Sequence, residues 1–284
     1  MNIDVVRSSS ELKVRLSKLR EDGKKIAFVP TMGALHEGHL HLVDEGFKKA
    51  DVVIASIYVN QSQFNDSGDF ENYPRTVEED IKALNSRKCN VVYLPEKKDI
   101  ESISLYNEFD FKHFDMFMEG ANRPGHFKGV AEVVYRFLTL VQPDYAVFGQ
   151  KDFQQLAVIR QMTQDLALPV QIIGAPIVRE TDGLALSSRN VYLSQDDRQR
   201  ALSISRSMKS AQQVIWNGVF TVETLREQIR NELTVDTVDY IEFVHSTTLK
   251  PVSQVDNETR LLIAAFLSST RLIDNTALTL EKPI

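Results

Sequence analysis

Cysteine is almost absent from this sequence: its 284 residues include one, Cys89. A single thiol can form neither an internal disulfide nor a thiolate zinc site, so a reducing cytoplasm is the expected compartment. Glycine and proline are scarce, at 12 and 9 residues, which excludes collagen-like, linker-rich and low-complexity chains. Neither sign of charge dominates; 33 basic against 39 acidic side chains leave a net charge of −6. That balance favours solubility and argues against general binding to nucleic acid or to an anionic membrane. Long apolar runs are missing too. Met1 to Glu21 carries charge throughout, unlike a signal peptide. The most apolar stretch, Val52 to Val59, is far too short to span a bilayer.

What remains is the composition of an ordinary globular protein, 43% hydrophobic and 8% aromatic, long enough for two domains at roughly 150 residues each. The first part alternates helical and strand patterns. Ser8 to Ser10 can cap a helix with Leu12, Leu16 and Leu19 on one face, ended by Gly23. Ile26 to Val29 reads as a buried strand stopped by Pro30, and Val52 to Val59 as a second. Thr76 to Glu79 has the form of a capping box, opening a helix with Val77, Ile81 and Leu84 inward. Val91 to Leu94 is a strand, Val130 to Val141 a helix, Tyr145 to Phe148 a strand, Phe153 to Leu166 a helix and Val170 to Ile173 a strand.

Apolar strands alternating with amphipathic helices predict a parallel sheet covered on both sides, a Rossmann-like α/β domain over residues 1–177. Beyond it, over 178–284, helices begin at Ser194 and Thr221, the first ending at Asn217-Gly218. Strand patterns follow at Tyr240 to Val244, Arg260 to Phe266 and Arg271 to Ile273. That order predicts a smaller α+β domain with an antiparallel sheet.

The chemistry concentrates in Pro30-Thr31-Met32-Gly33-Ala34-Leu35-His36-Glu37-Gly38-His39, between the first strand and a helix bearing Leu42, Val43 and Phe47. His36 and His39 fall at the helix amino terminus, where unpaired N–H groups and the helix dipole favour an anion. Gly33 and Gly38 suit tight turns that let a phosphate approach the backbone. A nucleotide triphosphate site of the HxGH kind is one reading. Histidines without a role, or His36, His39 and His41 as metal ligands, are others; the metal reading lacks a cysteine and suitable helical spacing.

Three further polar clusters follow predicted strands: Asn60 to Phe64, Gly149 to Asp152 with Gln155, and Leu186 to Asn190. Ligands bind at such carboxyl ends in open α/β sheets. Arg123 and His126, in the Glu119 to Val130 segment, suit either an anion or a turn, and Cys89 suits packing.

At these residues the chain resembles the pantoate–β-alanine ligase family, within the HxGH nucleotidyltransferase superfamily. The resemblance runs through Pro30 to His39, Asn60 with Gln63-Phe64, Tyr73-Pro74-Arg75, Arg123 to Phe127, Gly149 to Leu156, Asp182 to Asn190 and Arg271 to Asn275. It implies a two-step reaction: ATP and pantoate give pantoyl adenylate and pyrophosphate, then β-alanine attacks to give pantothenate and AMP. It also implies that Met32, Gly33, Ala34, Leu35, His36, Glu37, Gly38 and His39 line the ATP site, with His39 as proton donor. Gly149, Gln150 and Asp152 would hold the ribose, and Val178 would meet the adenine.

On the same resemblance Lys151, Ser187, Ser188 and Arg189 would take the phosphates, and Leu186 would belong to the ATP site. His36, His39, Lys151 and Arg189 would be the catalytic groups. Gln63 and Gln155 would hold pantoate, with Gln63 also near β-alanine. The resemblance further implies magnesium carried on the ATP phosphates and a homodimer; an acyl adenylate needs shelter from water, which the small domain carrying Arg189 or the Gln63 to Asn72 segment could give by closing over the site. Three departures stand out: Gln61 where proline is usual, Gln150 where glutamate is common, and no Tyr-Pro turn in Lys97 to Tyr106. Two rivals stay open, another nucleotidyltransferase acting on a phosphorylated acceptor and a non-catalytic ATP-binding module.

Overall fold

The computed structural model describes residues 3–65, 67–105, 110 and 114–282. The chain divides into two compact units, Met1–Gln150 with Gln154–Pro176, and Lys151–Phe153 with Ile177–Ile284.

In the first unit the order is β1 (Asp4–Val6), α1 (Ser9–Glu21), β2 (Ile26–Thr31), α2 (Glu37–Phe47), β3 (Val52–Ile57), α3 (Ser67–Asn72), α4 (Val77–Ser86) and β4 (Val91–Tyr93). There follow α5 (Lys97–Glu101), α6 (Glu119–Asn122), α7 (His126–Val141), β5 (Tyr145–Gly149), α8 (Phe153–Asp165) and β6 (Gln171–Ala175). The six strands form one sheet in the order β1-β4-β3-β2-β5-β6, and every pairing is parallel. The chain winds outward one way from β2 through β3 and β4, then resumes on the other side of β2 with β5. That reversal makes a crevice at the carboxyl ends of β2 and β5.

Both faces of the sheet are covered, which is why β2 and β3 read as unbroken apolar runs. Alternate residues of a strand point to opposite faces. Ala27, Val29, Val53 and Ala55 pack with Leu40, Leu42 and Val43 of α2. Phe28 meets Phe137 of α7 at 5.5 Å between ring centroids, and Tyr58 and Tyr93 contact the same ring edge-on. Cys89 lies in the core. Burial pushes its thiol up to about 12, so it stays protonated and unreactive.

Several boundaries differ from the sequence reading. Pro30 does not stop β2; it sits in register opposite Ser56 of β3. The β2–β5 ladder involves Ala27 and Phe28, so the missing proline N–H falls beyond it. β3 stops at Ile57, short of Val59. Val77 is 36% exposed, whereas Asp80 is buried. Thr76 forms no side-chain cap; its hydroxyl donates to Asp80 Oδ1 instead. Lys97 to Glu101 is the helix α5, and Tyr106 lies outside the described residues.

The second unit contains α9 (Gln195–Trp216), α10 (Val222–Glu232), β7 (Thr237–His245), β8 (Thr259–Leu267) and β9 (Thr270–Ala277). The strands form an antiparallel sheet in chain order. Ile204, Met208 and Ile215 of α9, Leu225 and Ile229 of α10, and Phe243, Leu261 and Ile263 of the sheet share one core. Ser194 caps α9 through the Asp197 N–H, and the acidic first turn suits the helix dipole.

No strand of the sheets ends near Val178; Arg179 and Ala185 instead form an isolated antiparallel bridge across a turn at Gly183. Arg179 makes a two-pronged pair with Asp274, at 2.6 and 2.9 Å. Asn275 accepts from Arg260 Nε and donates to the Lys151 carbonyl. Arg260 also lies over the Phe153 ring, 3.8 Å from its centroid. Those contacts place Lys151–Phe153 with the second unit.

Candidate active site

Thr31, the last residue of β2, donates its hydroxyl to the Ser56 carbonyl and accepts from the Gly33 N–H. The chain then turns sharply: Gly33 and Ala34 both have positive φ, +83° and +50°. The Ala34 and Leu35 N–H groups donate to the two oxygens of Asp80, at 3.0 and 2.8 Å. This carboxylate sits in the first turns of α4, far along the chain from the loop it holds. An acidic run of Glu78, Glu79 and Asp80 at a helix start looks like ordinary dipole matching, so nothing in the sequence singled Asp80 out.

From this loop α2 begins with two histidines capping each other. His36 is the N-cap residue, and its Nδ1 accepts from the Gly38 N–H at 3.1 Å. His39 Nδ1 accepts from the His36 N–H at 3.4 Å. The rings stack with centroids 4.1 Å apart. Since both Nδ1 atoms accept, a neutral imidazole at either position carries its proton on Nε2. Each ring is therefore a donor at its distal nitrogen, beside the positive end of a helix dipole. Gly38 lies inside α2 and is not among the positive-φ glycines; its contribution is the N–H that orients His36.

The carboxyl end of the neighbouring strand β3 supplies the second group. Asn60 donates to both the Gly129 carbonyl of α7 and the Gln63 side-chain oxygen. Gln63 Nε2 reaches Met32 Sδ at 2.9 Å, so this amide touches the histidine loop. His126 Nδ1 lies 2.8 Å from the Gln63 carbonyl oxygen, and its Nε2 lies 3.1 Å from Arg123 Nη1. A carbonyl can only accept and a guanidinium can only donate. His126 is thus held neutral with its proton on Nδ1, and Arg123 and His126 anchor the backbone that carries Gln63. The sequence left these two residues between an anion site and a turn; their observed contacts serve the turn.

On α8, Gln154 is buried, accepting from the Glu119 N–H and donating to the Phe114 and Phe117 carbonyls. Gln155 differs: it is half-buried, and its side chain makes no hydrogen bond to any described residue. Gly149 ends β5, and Gln150 donates to the Gly174 carbonyl of β6. Arg75 donates to the carbonyls of Phe70, Glu71 and Tyr73, closing the short helix α3.

In the second unit Lys151 Nζ stands 3.9 Å from Asp152 Oδ1, too far for a strong pair. The Val178 carbonyl accepts from the Leu186 N–H. Ser187 caps a single turn, Ser188–Tyr192, by accepting from the Arg189 N–H. Asn190 secures that turn by donating to Glu180 and to the Ala185 carbonyl. His41 pairs with Glu45, and among the described residues no three His, Cys, Asp or Glu side chains are grouped to hold a metal ion.

Paired histidines at a helix amino terminus, at the switch point of a parallel sheet, mark the chain as an α/β protein whose sheet end is suited to an anion. The model of the family described as pantoate-beta-alanine ligase matches residues 4–277. The chain is 45% identical over 278 residues to the pantothenate synthetase of Marinobacter nauticus, covering 96% of this chain and 99% of that one. It is 43% identical over 277 residues to that of Geotalea uraniireducens, covering 96% and 98%. The crystal structure of pantothenate synthetase from Thermus thermophilus superposes with a TM-score of 0.90 at 37% identity, covering 98% of this chain and all of that one. The Francisella tularensis pantoate-beta-alanine ligase, solved with beta-gamma ATP and beta-alanine, gives 0.78 at 31% identity, covering 97% of each. The chain belongs to the pantoate–β-alanine ligase family.

Proposed function

We propose that the histidine loop and the Gln63 turn form the reaction centre of an ATP-dependent ligase joining pantoate to β-alanine. The activity is the family's: pantoate and ATP yield pantoyl adenylate and pyrophosphate, and β-alanine converts the adenylate to pantothenate and AMP. One observation carries the placement of the centre. The Gln63 amide touches Met32, so a neutral acceptor-binding group adjoins the loop that starts α2.

In the first step a pantoate carboxylate oxygen attacks the α-phosphorus of ATP, and the bond to pyrophosphate breaks. A lysine or arginine holding that carboxylate would lower its nucleophilicity. Gln63 and Gln155 offer amide donors and acceptors without a formal charge. Gln155, with no partner among the described residues, is suited to the substrate's hydroxyls. Negative charge grows on the α-phosphoryl and pyrophosphate oxygens. The Nε2–H donors of His36 and His39 and the amino end of α2 stabilise it more in the transition state than in the ground state. His39 serves as proton donor.

Met32, Gly33, Ala34, Leu35, Glu37 and Gly38 complete the wall of the ATP site. Gly149, Gln150 and Asp152 hold the ribose, and Val178 meets the adenine. Lys151, Ser187, Ser188 and Arg189 take the phosphates, and Leu186 belongs to the ATP site. In the second step the β-alanine amine attacks the acyl carbon beside Gln63, and AMP leaves.

The family resemblance supports magnesium carried on the ATP phosphates, an ion that commonly keeps several waters and needs no cage of protein ligands. When bound it neutralises phosphate charge. The family resemblance supports a homodimer, and the single buried thiol supports a cytoplasmic location. No described helix is long and apolar enough to cross a membrane.

The test is AMP release with ATP, pantoate and β-alanine, each omitted in turn. AMP release should require all three. Gln63→Ala and Gln155→Ala should each raise the pantoate KM roughly tenfold, the loss expected when a hydrogen bond to a charged or polar substrate goes, with a much smaller change in the ATP KM. Equal effects on both constants would show the acceptor pocket to be misplaced.

A further inference from the structure

Asp80 is more deeply buried than any other described acidic side chain, at 2% exposure. Buried carboxylates are retained when their oxygens are filled by donors. Here the donors are the Ala34 and Leu35 N–H groups and the Thr76 hydroxyl. The loop receiving this grip is strained. Ala34 has φ +50°, a left-handed conformation that a non-glycine residue holds only where its surroundings over-determine it. Gly33 leaves no room for a side chain: a methyl group there would lie 2.9 Å from Asp80 Oδ2 and 3.0 Å from Ile57.

We propose that Asp80 is a positioning residue for the nucleotide loop. Its carboxylate holds residues 33–35 in their left-handed turn and so sets the direction in which α2 presents His36 and His39. Charge-assisted bonds to two consecutive N–H groups fix both the position and the orientation of that backbone. Asp80 itself touches no substrate; it acts through the loop. The functional half of this proposal rests on the reading of α2's amino end as the ATP site.

The experiment uses the full chain with Asp80→Asn, Asp80→Ala and the double variant Asp80→Ala with Ala34→Gly. Three quantities are compared: pyrophosphate–ATP exchange, the ATP KM, and the NMR shifts and hydrogen exchange of the Ala34 and Leu35 amides without ligand. Asp80→Ala should release both amides and lower pyrophosphate exchange roughly 100-fold, as small misplacements of catalytic groups do. Asp80→Asn retains one acceptor oxygen and should fall between; being isosteric, it carries the comparison if Asp80→Ala fails to fold. Glycine at position 34 adopts the left-handed turn without strain, so the double variant should recover part of the lost exchange. A merely structural Asp80 would lower thermal stability without that recovery.

Unchanged Ala34 and Leu35 amides in the Asp80 variants would overturn the proposal. So would released amides with wild-type exchange rate and ATP KM. His39→Ala is run beside them. If it proved silent while the amides moved, the ATP-site reading would fall and the anchoring of the loop would stand.

Discussion

Gly129→Ala is expected to raise the pantoate KM roughly tenfold or more and to lower the melting temperature by about 2–12 °C, on an overpacking cost of about 1–3 kcal/mol. A methyl group on Gly129 would lie 2.3 Å from the Ser62 carbonyl oxygen, 2.5 Å from its carbon and 2.8 Å from the Gln63 nitrogen. All three are backbone atoms, so no rotamer change relieves the clash. Either α7 or the Gln61–Gln63 turn must move. The Gly129 carbonyl also accepts from Asn60, which in turn donates to the Gln63 side chain, so the displacement reaches the proposed pantoate amide. The histidine loop meets the Gln63 turn through Met32 but has anchors of its own in Thr31 and Asp80, so ATP affinity should change less. Calorimetric titration of each substrate, with thermal unfolding of the same samples, checks this. A normal pantoate affinity in a destabilised variant would detach the Gln63 turn from substrate binding.

His39→Ala should reduce pyrophosphate–ATP exchange by about 10²–10³, the cost of removing one preorganised donor at a developing oxyanion. His39 has two tasks that this variant removes together. Its Nδ1 caps the His36 N–H, and its Nε2–H faces the anion in the proposed mechanism. His39→Asn keeps a side-chain acceptor near the Nδ1 position, whereas His39→Gln keeps a polar group near Nε2. If stabilisation of the phosphoryl charge dominates, glutamine should retain more exchange than asparagine. The reverse order would assign His39 to capping. Full exchange in His39→Ala would remove the catalytic assignment altogether.

The same contrast between local and distant causes explains how far the sequence could be read. Strand and helix patterns need only near neighbours, so β2, β3, α2, α7, α9 and α10 were legible within a few residues. The cap at His36 was legible for the same reason, since a helix amino terminus is a local event. Where prediction slipped, a neighbour in space had overruled a local rule. Pro30 continues β2 because the β5 ladder makes no demand at that point. Thr76 turns its hydroxyl to Asp80 rather than capping its own helix. Val77, the first residue of α4, stays 36% exposed although Asp80 is buried. β1, three residues on an edge of the sheet, carries too little periodicity to be noticed.

The candidate site divides along the same line. His36, His39, Gln63 and Gln155 were nameable because their types and order match a family over nearly the whole chain. Arg123 and His126 were visible but not interpretable, since His126 meets a main-chain carbonyl some sixty residues away and Arg123 meets His126. Asp80 was hidden in an acidic helix start.

The order of residues was enough to give the alternation of strands and helices and the family to which the chain belongs. Folding determined which side chains touch: Asp80 on the Ala34 and Leu35 amides, Gln63 on Met32, Arg260 and Asn275 around Lys151–Phe153. Periodic burial is a short-range property written along the chain. A polar anchor is a single long-range contact, and it acquires meaning only once the sheet order has brought its partner alongside.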